Sequence, residues 1–246
     1  MLKIVISGST GRMGLALINA ISKDQNFKLI GGVASKSNSN IGKDLGEMAG
    51  EKRMGVILSS KLSDLPKADV LIDFSEAKFS LHSVEYAKNH NTALVLGTTG
   101  HQEKDLSNIE EASKVIPLLN APNTSMGIAY LKKVIDLTSD SLSYFENFQI
   151  LEKHHKDKKD LPSGTSLDLA NFLSERIVRE DPINIESERT GDVAGEHKII
   201  LSNNQERIEL SHKALDRSIY AKGALIGASW LQSKPNGLYS MSDIYS

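Results

Sequence analysis

Short β-branched runs alternate with stretches of helical period through the first half of the chain. "KIVIS" gives way to "GLALINAISK", then "FKLIGGVA"; later come "DVLIDFS", "SLHSVEYAKNH" and "TALVLGTTG", and "VIPLLNAPN" closes the series. Apolar runs of four to six residues separated by amphipathic segments mark βαβ units, with a parallel sheet buried on both faces. From Ser125 the period changes. "SMGIAYLKKVIDLTSDSLSYF" predicts one long helix, with Ile128, Leu131, Ile135, Leu137 and Leu142 as its apolar side. "FQILEKHH" then reads as a strand, "SLDLANFLSERIVRE" as a helix, and "HKIILSNNQERIELSHKA" as a hairpin turning at Asn203–Asn204. "RSIYAKGALIGASWLQ" is a helix apolar enough to lie on a sheet. The pattern predicts an α/β chain: a nucleotide-type domain over residues 1–124 and 217–246, with a β-rich insert over 125–216.

The first strand runs into Gly8-Ser9-Thr10-Gly11-Arg12-Met13-Gly14, and a helix follows. A G-x-x-G-x-x-G loop in that position lets the backbone turn tightly and approach a pyrophosphate, whose charge lies against the N-terminal amides of the helix. Two other loops, Gly97-Thr98-Thr99-Gly100 and Asn120 to Ser125, follow strands of the same sheet, where a parallel sheet places its ligand crevice. At the end of the second strand, where an acid would accept from a ribose hydroxyl, stand Ser35 and Lys36. A neutral donor and a cation favour a 2′-phosphate, so NADPH is the expected preference, with NADH usable.

The stretch "EKHHKDKKDLPSGT" carries the second candidate chemistry. On a strand, His154 and His155 point to opposite faces, an arrangement unsuited to sharing a metal ion, and no metal is expected. Lys156, Lys158 and Lys159 gather positive charge just before Pro162-Ser163-Gly164-Thr165, a helix start whose amides face outward. Cations beside such amides hold a carboxylate, and a histidine there can deliver a proton at neutral pH. A solvated loop would also be rich in Lys and Asp; the ordered spacing is what argues for a site.

Composition narrows the alternatives. With 246 residues, 39% hydrophobic and 24% charged, the chain has the balance of a globular protein. A net charge of −2 gives no general attraction to nucleic acid or membrane, and the absence of cysteine removes thiolate chemistry and disulfides. Neither a leader-like segment nor a membrane-spanning run is evident, so a cytoplasmic protein is expected.

The run Glu152, His154, His155, Lys158, Asp160, Pro162, Ser163, Gly164, Thr165 resembles the motif of the 4-hydroxy-tetrahydrodipicolinate reductase (dihydrodipicolinate reductase) family. "GSTGRMG", "DFS", "GTTG", "GDVAGEH", "SHKA" and "GLYSMSDI" extend the resemblance over nearly the whole chain. It implies a Rossmann-like dinucleotide-binding domain with an inserted mixed α/β substrate-binding and oligomerisation domain, assembled as a homotetramer. It implies NAD(P)H-dependent reduction of a dicarboxylate in lysine and diaminopimelate biosynthesis. The family's proton donor falls on His154 and its lysine partner on Lys158; its substrate contacts fall on His155, Ser163, Gly164 and Thr165. Its cofactor contacts fall on Gly8 to Met13, Gly97 to Thr99, and Ala121, Pro122, Asn123 and Thr124, Thr124 standing where the family often has an aromatic. Arg217 matches a family arginine. A different two-domain oxidoreductase would share the glycine loop without the His-His to Ser-Gly-Thr run, and a cofactor-sensing binding module would need no acid at His154.

Overall fold

A computed structural model describes residues 1–177 and 181–246. They form two compact units, Met1–Thr124 with Tyr220–Ile244 and Ser246, and Ser125–Ile219 with Tyr245.

In the first unit, β1 (Leu2–Ser7), α1 (Arg12–Ser22), β2 (Phe27–Val33), a short α2 (Leu45–Met48), β3 (Leu58–Ser59), β4 (Val70–Asp73), α3 (Ala77–His90), β5 (Ala93–Leu96), α4 (Glu103–Ser113) and β6 (Pro117–Asn120) follow in order. The central strands β1, β4 and β5 are almost wholly buried, which is why their sequences are continuous apolar runs instead of alternations. Their order puts β1 between β2 and β4, all pairs parallel, with β5 and β6 beyond. Chain order reverses at β1, so the crevice above its carboxyl end is the switch point of the sheet.

The second unit contains α5 (Met126–Leu137), β7 (Asn147–His154), α6 (Gly164–Ser174), β8 (Asn184–Arg189), β9 (Gly195–Ser202) and β10 (Arg207–Ala214). Its sheet runs β10-β9-β7-β8, antiparallel except for the β7–β8 pair. One face packs on α5 and α6 through Ile128, Ile135, Ile150, Leu169, Leu173 and Ile199. The chain then returns to the first unit through α7 (Ser218–Leu231) and β11 (Gly237–Tyr239), a parallel edge strand beside β6. The sheet therefore continues past "VIPLLNAPN"; at three residues, "GLY" carries no periodic signal.

Three local differences from the pattern have plain causes. The helix expected through Phe145 stops at Leu137 and continues as a 3₁₀ segment, Ser139–Tyr144. Leu137 is 75% exposed, because it sits 200° around the helix from Ile135 at 100° per residue. The hairpin turns through four residues, Asn203 to Glu206, closed by the Asn203 amide donating to the Glu206 carbonyl at 3.1 Å. Helix α6 begins at Gly164, capped by Ser163, and ends at Ser174; residues 178–180 of the expected helix lie outside the described residues.

Candidate active site

The glycine loop of the first unit is built from backbone. Gly8 has φ +80°, and a Cβ there would collide with the Phe74 carbonyl; a Cβ on Gly14 would strike the Gly8 carbonyl. Both clashes are with main chain, so a larger residue cannot be accommodated by a rotamer change. Amides of Gly8 and Ser9 both donate to the Val33 carbonyl at 3.0 Å, pinning the loop to β2. Helix α1 opens at Gly11 without a side-chain cap, and its first-turn amides have no acceptor within the helix. Beside the loop lies a cleft of about 620 Å³ bordered by Gly8, Thr10, Gly11, Ser35, Asn38 and Lys78. A cradle that only glycine can form, an uncapped helix start and a cleft of this size fit a dinucleotide.

The expected cofactor residues separate on closer view. Gly8, Thr10, Gly11 and Ser35 border the cleft, and Thr10 Oγ1 accepts from Asn38 at 3.1 Å. Exposed Arg12 and half-buried Met13 start α1. Three of the expected residues use their hydroxyls within the protein: Ser9 donates to the Ile6 carbonyl at 2.8 Å, Thr98 donates to buried Asp73, and Thr124 donates to the Tyr220 carbonyl at 2.7 Å. Gly97 is closed in by the Phe74 ring, Ala121 is buried, Thr99 and Pro122 are exposed, and Asn123 is half-buried. Lys36 is exposed and does not border the cleft; the lysine that does is Lys78, in the first turn of α3, with His82 one turn on. Sequence reading missed Lys78 because its placement depends on β4 lying beside β1.

Side chains build the site of the second unit. Burial alternates along β7, placing Ile150, Glu152 and His154 on the inner face. Glu152 is 3% exposed. Its Oε1 accepts from the Ser163 amide at 3.0 Å and from Arg189 Nη2 at 2.9 Å; its Oε2 accepts from Ser166 Oγ at 3.0 Å and lies 3.3 Å from His154 Nδ1. Burial alone would raise the Glu152 pKa, but the donors from Ser163, Ser187, Arg189 and Ser166 overcome it and hold the carboxyl at about 2. One carboxylate thus ties the end of β7, the start of α6 and β8 together.

His154 is buried, and desolvation is the main reason its pKa lies below the ordinary value; Glu152 opposes that, while Lys158 and Arg189 add to it. Its ring meets that of His197 edge-on at 5.0 Å between centroids, and His197 stacks with His212 at 6.3 Å. Burial, then His154, push His197 down to about 3, so it is neutral at any working pH. Lys158 pairs with Asp160 at 2.7 Å, and that loop is held from below by Arg189 Nη2 donating to the Asp160 carbonyl at 2.6 Å. His155, half-buried, donates its amide to Val193 and takes no part in the Glu152 hub. Ser163 caps α6 by accepting from the Ser166 amide at 3.2 Å, which places Gly164 and Thr165 in the first turn, with the Gly164 amide donating to Asp160. Donor atoms of Glu152, His154 and His197 fall within 4.8 Å of one another, a spacing a metal ion could use, but the Arg189 guanidinium and two further donors already occupy the carboxylate.

A glycine-cradled crevice at the switch point of a parallel sheet, with a separate unit carrying a buried histidine beside a cationic loop, fits a pyridine-nucleotide-dependent oxidoreductase. Models of the dihydrodipicolinate reductase N-terminus and C-terminus match residues 2–124 and 127–245. A 4-hydroxy-tetrahydrodipicolinate reductase of Colwellia psychrerythraea is 34% identical, covering 98% of this chain and 97% of that one. The Buchnera aphidicola enzyme of the same name is 35% identical over 98% and 96%. Dipicolinate-bound dihydrodipicolinate reductase from Paenisporosarcina sp. TG-14 shares the fold, with a TM-score of 0.82 at 22% identity and 99% of each chain covered. The chain belongs to the dihydrodipicolinate reductase family.

Proposed function

We propose that this chain reduces 4-hydroxy-tetrahydrodipicolinate to tetrahydrodipicolinate, with loss of water, at the expense of NAD(P)H, in the lysine and diaminopimelate route. The reading is supported above all by the Glu152–His154 arrangement beside the opening turn of α6. Gly8, Thr10, Gly11 and the first-turn amides of α1 hold the dinucleotide. Loss of the 4-hydroxyl with a ring proton, as water, gives the unsaturated ring imine, and a reduced nicotinamide bound there would supply a hydride to its C4. Conjugate addition leaves an enamine, and His154 protonates its carbon. His154 is neutral in the empty site, but an arriving dicarboxylate adds negative charge and favours its protonated form. Lys158 and the amides of Gly164 and Thr165 hold a ring carboxylate, with Ser163 fixing the helix start and His155 lining the opposite side.

The substrate unit is also the proposed assembly surface of a cytoplasmic homotetramer. Helices cover one face of its sheet; the other presents Lys153, Glu188, Glu196 and Lys198, and both edge strands, β8 and β10, are largely solvent-facing. No helix among the described residues is long and apolar enough to cross a membrane.

Following nicotinamide absorbance while a coupled synthase supplies the labile substrate tests the activity; absence of oxidation with both cofactors overturns it. NADPH is the proposed preference, now with Lys78 as the cation beside the nucleotide and Ser35 as the neutral neighbour. An exposed cation–phosphate contact contributes about 1–3 kcal/mol. Lys78→Glu should therefore lower kcat/KM for NADPH by roughly ten- to hundredfold and leave NADH little changed. Equal values for the two cofactors in the unmodified protein would refute the preference.

A further inference from the structure

We propose that Glu152 and Arg189 form a brace behind the proton donor: Glu152 receives the Nδ1–H of protonated His154, and Arg189 moderates that carboxylate and ties it to the substrate loop. The inference rests on the reading of His154 as the acid. A carboxylate offers about four lone-pair positions. The Ser163 amide, Arg189 Nη2 and Ser166 Oγ donate to Glu152, Ser187 on the paired strand adds to them, and Oε2 faces His154 Nδ1 at 3.3 Å. In the resting protein that nitrogen is buried and makes no hydrogen bond. It is a protonatable atom placed against an ionised carboxylate that other donors already hold.

The consequence for the proton is specific. When His154 is protonated, both ring nitrogens carry hydrogen. The Nδ1 hydrogen is donated to Glu152 Oε2 and stays on the ring, so the proton that leaves for the enamine carbon departs from Nε2, and neutral His154 regains one from solvent. Glu152 never takes the proton, because its pKa of about 2 leaves it ionised throughout. It is a positioning residue that selects the tautomer and stabilises the imidazolium. Arg189 acts in the opposite sense on the ring while joining Glu152 to the carbonyl of Asp160, next to the Lys158–Asp160 pair. Charged and titratable groups facing His154 are Glu152 from its own strand, Arg189 from β8, His197 from β9, and Lys158 and Asp160 from the loop. His197 stays neutral, so Glu152 and Arg189 are the fixed charges that bear on the ring from the sheet.

Two variants with opposite expected signs test this. Glu152→Gln removes the charge that favours imidazolium, so the titration midpoint of His154, followed by NMR of the histidine ring signals and assigned by their loss in His154→Gln, should fall by about one pH unit. The high-pH limb of kcat should move down with it, with substrate KM little changed. Arg189→Met removes the opposing cation, and both should move up. If Glu152→Gln does not fold, Arg189→Met carries the test by its direction. Unchanged His154 titration in the folded variants, or movement against these signs, overturns the brace. Movement of the NMR midpoint without movement of the kcat limb would keep the brace and remove His154 as the acid.

Discussion

The glycine loop of the first unit and the His154 loop of the second, both proposed anion sites beside a helix start, are made of different material. Around Gly8 the protein uses main chain: amides, a positive φ and the absence of Cβ atoms. Around His154 it uses side chains, a carboxylate with three donors, two imidazoles in edge contact and a Lys–Asp pair. The backbone site offers shape and dipole, with the titrating side chains Lys78 and His82 at the border of its cleft. The side-chain site holds groups whose charge depends on pH, as the proposed proton donor requires. Holding a cofactor and delivering a proton thus ask for different chemistry from similar local geometry.

Substitutions can break that contrast, and the largest effect is expected on the titrating side. His154→Ala or Lys158→Ala should lower kcat by about two to four orders of magnitude, the range for losing a general acid or an electrostatic stabiliser. Nucleotide affinity, measured by fluorescence titration, should stay the same; wild-type turnover would exclude both from the mechanism. On the backbone side, Gly8→Ala should weaken nucleotide binding by roughly ten- to hundredfold, because the new Cβ meets the Phe74 carbonyl at a φ that alanine resists, a strain of about 1–3 kcal/mol. That loss should appear in nucleotide Kd at any pH between 6 and 9, whereas the His154 defects are pH-dependent.

A smaller effect sharpens the comparison through stability. Glu152 and His197 both have folded pKa values below their ordinary ones, about 2 against 4.5 and about 3 against 6.5. For each, the unfolded state binds the proton first as pH falls. Their contribution is full above pH 6.5, declines first through His197, and declines further below pH 4.5 through Glu152. Hydrogen exchange should show the sheet of the second unit losing protection before the β1–β4–β5 core as pH drops from 7 to 4. Glu152→Gln should flatten the part of that loss below pH 4.5, changing Tm there by roughly 5 °C. Simultaneous loss in both units would contradict it.

Local pattern alone determined much of this. Continuous apolar runs marked β1, β4 and β5, because a strand buried on both faces must be apolar throughout. Spacing of Gly8, Gly11 and Gly14 marked the phosphate loop, since only glycine meets its backbone demands. Contiguous residues from Glu152 to Thr165 marked the acid loop and the start of α6. What pairing across the sheets decided was illegible. β8 is an exposed edge strand, "NIESER", with no apolar alternation, and only its parallel pairing with β7 brings Arg189 to a carboxylate 37 positions earlier. His197 reaches His154 because β9 lies antiparallel to β7. Lys78 borders the nucleotide cleft, and Lys36 does not, for the same kind of reason. Motifs are short-range because a turn or a helix start is made by neighbours in the chain. The charges that tune a buried histidine come from whichever strands the hydrophobic core places beside it, and that placement exists only in the folded protein.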